Sequence, residues 1–93
     1  MEFKQTETAF YLGESLATAT AKIEYEVHNE ELNILHTQVS EIHKGQGIGK
    51  LLVKEVIDYA RANNLSVLIA CPFAKKEIEK HEEYQDLIKK SGN

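Results

Sequence analysis

"EIHKGQGIGKLLVKEVIDYA", residues 41–60, is the stretch that decides the fold. Gly45, Gly47 and Gly49 stand at alternate positions directly before an apolar run. Glycine weakens a helix start, so these positions need bare backbone for another reason. Ile48, Leu52, Val56 and Tyr59 or Ala60 follow helical spacing, and Leu51, Val53 and Ile57 broaden the stripe. Lys50, Lys54, Asp58 and Arg61 form the opposite, wet face, which predicts an amphipathic helix. Asn63-Asn64 is its stop. The first turn of such a helix carries N–H groups without intrahelical partners and the positive end of the dipole. With no side chains in the way, a phosphate or pyrophosphate can approach those donors. His43, Lys44 and Lys50 add local positive charge.

The flanks set the topology. "LNILHTQVS" (32–40) reads as a strand, and "SVLIAC" (66–71) as a strand covered on both faces. Strand, helix and strand over 32–71 predict a parallel pair with a right-handed crossover. Upstream, "ATATAKIEYEV" (17–27) alternates strictly, with Ala17, Ala19, Ala21, Ile23, Tyr25 and Val27 on one side of a half-buried strand. "FKQTETAFYL" (3–12) is a weaker, more polar edge strand. Gly13-Glu14-Ser15 and residues 28–31 supply short turns, Asn29 tolerating a left-handed backbone. Pro72 suits the first turn of a helix. Residues 73–90 form one or two short helices, with Phe73, Ile78, Tyr84, Leu87 and Ile88 inward. The fold class is therefore α/β (α+β). It comprises an antiparallel three-stranded meander, a parallel fourth strand, a crossover helix and a short C-terminal helical tail, in one domain over residues 1–93.

Composition narrows the function. With 93 residues the core is thin, so a large buried substrate chamber is not expected. A net charge of −4 argues against broad binding to nucleic acid or to an anionic membrane. Cys71 is the lone cysteine, so no internal disulfide forms, which fits a reducing compartment. No apolar stretch is long enough to span a bilayer. The opening "MEFKQTETAF" is unlike a signal peptide, so the expected location is the cytoplasm. The histidines and Cys71 lack metal-ligand spacing, and no metal is assigned.

Two phosphate motifs fail. A Walker loop needs four residues between its glycines and a hydroxyl after its lysine; Leu51 follows Lys50 here. A dinucleotide fingerprint needs G-x-G-x-x-G and an acid at the end of the next strand, whereas the spacing is G-x-G-x-G and the strand ends Ala70-Cys71-Pro72. "KGQGIGKLLV" instead resembles the pyrophosphate motif R/Q-x-x-G-x-G/A of the GCN5-related N-acetyltransferases, with Lys44 at the first position and Gly47 and Gly49 at the small ones. His36-Thr37-Gln38-Val39, Cys71-Pro72-Phe73 and His81-Glu82-Glu83-Tyr84 extend the resemblance to a minimal, acetyl-CoA-binding subfamily.

The resemblance implies a truncated GNAT-like fold, with a bulge in the strand before the glycine turn and a cleft where the next strand splays away. It implies an acetyl-CoA-binding protein that moves acetyl to an unidentified amine. Val39 would offer main-chain hydrogen bonds to pantetheine; Lys44, Gly45, Gln46, Gly47, Ile48, Gly49 and Lys50 would cradle the pyrophosphate, and Phe73 would adjoin the cofactor. Cys71, ending the strand beside the expected thioester, would accept acetyl with His36 lowering its pKa or taking its proton. Glu41, Tyr84 and His81 are weaker candidates, read respectively as a loop acid, a packing residue and a structural histidine. His28 and His43 read as exposed. The chain lacks the helices after the first strand and the closing strands of larger relatives, which form much of their acceptor site. The alternative is a non-enzymatic CoA-binding sensor or adaptor whose acceptor side a protein partner covers.

Overall fold

Alternating apolar side chains need one covered face, and the sheet is built around that need. The computed structural model describes residues 2–89; residue 90, the last of the expected tail, lies outside them. Five strands lie side by side in chain order: β1 (Lys4–Gln5), β2 (Ala9–Leu12), β3 (Ala21–His28), β4 (Glu31–Val39) and β5 (Ser66–Ile69). Neighbours from β1 to β4 are antiparallel, and β4 pairs with β5 in parallel. Helix α1 (Ile48–Ala62) makes the crossover; α2 (Pro72–Glu79) and a 3₁₀ turn (Glu82–Leu87) form the tail. No helix among the described residues is long and apolar enough to cross a membrane.

The meander and the parallel crossover pair are as expected, but three elements differ from expectation. The segment 3–12 is a hairpin and not one strand. Thr6 N–H donates to the Ala9 carbonyl at 2.8 Å and Thr8 N–H to Thr6 Oγ1 at 3.1 Å, closing a bend between β1 and β2. The second expected strand begins at Ala21, because Ala17 to Thr20 carry only small side chains with nothing to bury. Their turn is held by Ser15 and Thr18. Finally, β5 is not covered on both faces: Val67 is buried, while Leu68 and Ile69 are half-buried. The helices lie on one side of the sheet only. Lys22, Glu24 and Glu26, on the other face of β3, are half-buried or exposed.

The β3–β4 hairpin turns through Asn29 (φ 51°) and Glu30 (φ 66°) with His28 opposite Glu31. Two successive positive φ angles make the two-residue turn whose twist matches the strands. The core lies between this sheet and α1. Leu52, Val53, Val56 and Ile57 are buried, each contributing roughly 1.5–3 kcal/mol. The stripe broadens towards Val53 and Ile57 and leaves Leu51, expected inside, exposed on its rim. Asn63 caps α1 through its own side chain, donating to the Tyr59 carbonyl at 2.8 Å, and Asn64 (φ 56°) ends it. The tail returns to α1 and β5. Arg61 grips both carboxylate oxygens of Asp86 at 2.8 and 3.0 Å, holding that carboxyl below its usual range, and Lys89 N–H donates to the Val67 carbonyl.

Phe10, Tyr25 and Tyr59 form an aromatic trio with centroids 5.8–6.0 Å apart. Burial raises the Tyr25 pKa, so its hydroxyl stays protonated; it donates to the Thr6 carbonyl at 3.0 Å and accepts from Gln5 Nε2 at 3.0 Å. This one hydroxyl ties the β1–β2 bend to the core. Replacing it, Tyr25→Phe, should lower stability by about 1 kcal/mol in urea denaturation, with the far-ultraviolet spectrum unchanged.

Candidate functional site

The site begins with one extra residue. Glu24 stands opposite His36 and Tyr25 opposite Ile34, so Leu35 is a bulge in β4. A bulge bends its strand and strengthens the local twist. Beyond it, β4 and β5 part. Their register ends at Ile34 and Ile69, and the Ile34 carbonyl accepts from both Ala70 N–H (2.9 Å) and Cys71 N–H (3.2 Å). Pro72 then starts α2. On the far side, Ser40 N–H donates to the Thr20 carbonyl at 2.8 Å. Strand alternation therefore turns the N–H and C=O of Val39 away from β3, towards the opened gap.

The glycine turn lies at the mouth of that gap. Gly45 (φ +79°) and Gly47 (φ +70°) take left-handed backbone conformations, and a Cβ at either would meet open space. Their reason is conformational. Gly49 is different: it is helical, and a Cβ there would lie 2.6 Å from the Phe73 ring. It is bare so that Phe73 can seat against the first turn of α1. The first bond of α1 runs from Leu51 N–H to the Gly47 carbonyl at 3.2 Å, and Gly47 supplies no side-chain cap. The N–H groups of Ile48, Gly49 and Lys50 thus have no partner within the helix, and its first turn carries no acid. His43 braces the turn, with Nε2 2.8 Å from Thr20 Oγ1 and Nδ1 3.4 Å from Gln46 Oε1.

A cleft of about 310 Å³ opens here. Val39, Lys44, Gly45, Gly47, Ile48, Gly49, Lys50 and Phe73 all line it, while Gln46 turns aside to His43. His43 lines it too, with Glu77 and Lys80, the last two of which sequence reasoning passed over. The signal was available for two of them: Phe73, Glu77 and Lys80 follow i, i+4, i+7 spacing along one face of α2. Open amides, two flanking lysines and a positive helix end suit a diphosphate.

Cys71 is buried, and its Sγ lies 3.5 Å from Thr37 Oγ1. Burial alone would raise the thiol pKa. The Thr37 hydroxyl and the N–H groups of Ala74, Phe73 and Thr37 outweigh it and hold the thiol below its ordinary value. His36 is not brought to Cys71. It faces Glu24 across the strands, and consecutive residues of a strand point to opposite faces, so Thr37 meets the sulfur and His36 lies on the open side. Glu41 is exposed in a 3₁₀ turn (Glu41–His43). Tyr84 is buried and stacks on His81 at 4.7 Å; His81 Nε2 in turn lies 2.8 Å from Glu77 Oε2.

Comparison with known proteins gives these shapes a context. The sequence profile described as GCN5-related N-acetyl-transferase matches residues 9–87. The solution structure of a GCN5-like protein from Staphylococcus aureus, proposed to be an N-acetyltransferase, is 45% identical with a TM-score of 0.80, covering 99% of this chain and 91% of that one. The ribosomal-protein-S18-alanine N-acetyltransferase of Escherichia coli is 17% identical with a TM-score of 0.63, over 83% of this chain but 53% of that one. The ribosomal-protein-alanine N-acetyltransferase of Brucella melitensis biovar Abortus 2308 is 20% identical with a TM-score of 0.56, over 96% and 71%. The likeness to these two is one of fold. No curated protein matches.

Two measurements check the geometry. Gly47→Ala should cost about 1–2 kcal/mol by chemical denaturation, because a left-handed backbone is forced on a residue with a Cβ. Gly49→Ala should stay within about 1 kcal/mol of the parent, since helix propensity gains what the Phe73 ring loses by moving; the shift appears in the Phe73 ring resonances. Separately, Thr37→Val should raise the Cys71 pKa, because it removes a hydrogen bond that favours the thiolate, and thiolate absorbance titrated against pH reads this directly.

Proposed function

Because the chain belongs to the GCN5-related N-acetyltransferase family, we propose that it binds acetyl-CoA and transfers the acetyl group to an amine, working as a small cytoplasmic enzyme of one domain. The observation that carries this reading is the set of amides of Ile48, Gly49 and Lys50, unpaired among the described residues and flanked by Lys44 at the mouth of the parted strands. They would hold the diphosphate. The outward N–H and C=O of Val39 would hydrogen-bond the pantetheine amides, and Phe73 would wall the arm. The co-substrate supplies an activated thioester.

The chain's own chemistry would centre on Cys71. Its thiolate attacks the thioester carbonyl, forming a new carbon–sulfur bond as the coenzyme's thiolate departs. A neutral amine then attacks the acetyl group on Cys71, its carbon–sulfur bond breaks to return the cysteine thiolate, and the proton the amine loses goes through solvent to the departed coenzyme thiolate. Thr37, and not His36, would steady the thiolate at 3.5 Å. A separate groove, lined by Asn33, Leu68, Ala70 and Lys75 among others, opens near the end of β5 and would be available to an acceptor.

A second reading, a CoA-binding sensor or adaptor, is favoured by one feature. Ile42 is 68% exposed beside the cleft, with Phe73 half-exposed opposite, and a protein partner could cover both. One comparison separates the readings. Cys71→Ala should still bind acetyl-CoA, seen as amide shifts over residues 39–50. Its single-turnover transfer to an amine panel should fall by about 10²-fold or more, the scale of losing an essential catalytic group. Undiminished transfer removes the cysteine intermediate; a parent protein that binds acetyl-CoA but acetylates no amine supports the adaptor.

A further inference from the structure

The far wall of the cleft carries charges that a diphosphate does not use. Phe73, Glu77 and Lys80 face it from α2, and Lys80 comes from a different element than Lys44 and Lys50. Glu77 is only 4% exposed, a carboxylate beside a site built for anions. Left alone it would repel them. Its Oε2 lies 2.8 Å from His81 Nε2, within hydrogen-bond distance, and its Oε1 3.8 Å from Lys80 Nζ, whose charge offsets its own. The latter contact also holds Lys80, at the C-terminal end of α2, over the cleft.

Three ammonium groups thus ring one small cleft. A diphosphate brings two negative charges at neutral pH, which the first turn of α1 with Lys44 and Lys50 can meet. The third, that of Lys80, is paired with Glu77 only at 3.8 Å and is free to meet a further anion. Coenzyme A carries one: the phosphomonoester on its ribose, which is close to dianionic at neutral pH. A lysine reads such a group as a point charge.

We propose that Lys80, held by Glu77, binds the 3′-phosphate of the coenzyme and makes the cleft selective for CoA over dephospho-CoA. This rests on the reading of the cleft as an acetyl-CoA site. The Lys80 side chain is 67% exposed, so water screens the contact and the selectivity is modest.

Calorimetric titration of the full chain with CoA and with dephospho-CoA tests it. The parent should bind CoA about three- to tenfold more tightly, the scale of a partly screened charge pair. Lys80→Ala should weaken CoA binding more than dephospho-CoA binding and so abolish the preference between them. Lys80→Arg should keep the preference, and added salt should erode it in the parent. Equal binding of both ligands by the parent, or a preference that survives in Lys80→Ala, overturns the proposal while CoA binding itself stands. Binding of neither ligand by the parent overturns the acetyl-CoA reading and this inference together. Because Lys80 is exposed, its variants should melt with the parent, and thermal denaturation verifies that the comparison is between folded proteins.

Discussion

The parting of β4 from β5 is the constraint on which the rest depends. Two neighbouring strands normally continue pairing, because an unpaired main-chain group is costly when buried. Here the extra residue at Leu35 bends one strand, and Pro72 turns the other into a helix. The main-chain groups beyond Ile34 are left facing a gap, and the glycine turn brings further unpaired N–H groups to its mouth. Polar backbone that would be a liability in a closed sheet becomes a lining for a polar ligand. The same corner sets the thiol environment, because Cys71 is the residue that precedes the first turn of α2.

A one-sided sheet makes this affordable in so few residues. The two helices and the tail cover one face, and the other remains charged and wet. A small core follows, filled mainly by α1 against β3 and β4. What larger two-sided folds do with additional layers is done here by local ties: the Tyr25 hydroxyl on the β1–β2 bend, Arg61 on the 3₁₀ tail, and the Gln85 side chain on the carbonyls of Ile78 and His81.

Much of this was legible in the residues, and the exceptions are instructive. The amphipathic run 48–62, the proline that opens α2 and the two-residue turn at Asn29 are local signals, and local signals survive folding. The residues of the glycine turn gather on one cleft because they are neighbours in sequence. The reason for Gly49 was hidden, since it depends on where Phe73, far along the chain, comes to rest. Pairing Cys71 with His36 and not Thr37 is a slip of one position. In a strand that slip crosses the sheet, and the Leu35 bulge that sets the phase leaves no mark in composition. Alternation over 17–20 misled for another reason: period two in small residues describes a geometry that no burial enforces.

The carbonyl of Ile34 accepts two hydrogen bonds, from Ala70 and from Cys71, and both come from main chain. The location of position 71 is therefore set without reference to which side chain it carries. A different residue placed there would inherit the same address at the fork of the sheet. In such an arrangement, reactivity can be exchanged or retired over generations while the scaffold around it stays where it is.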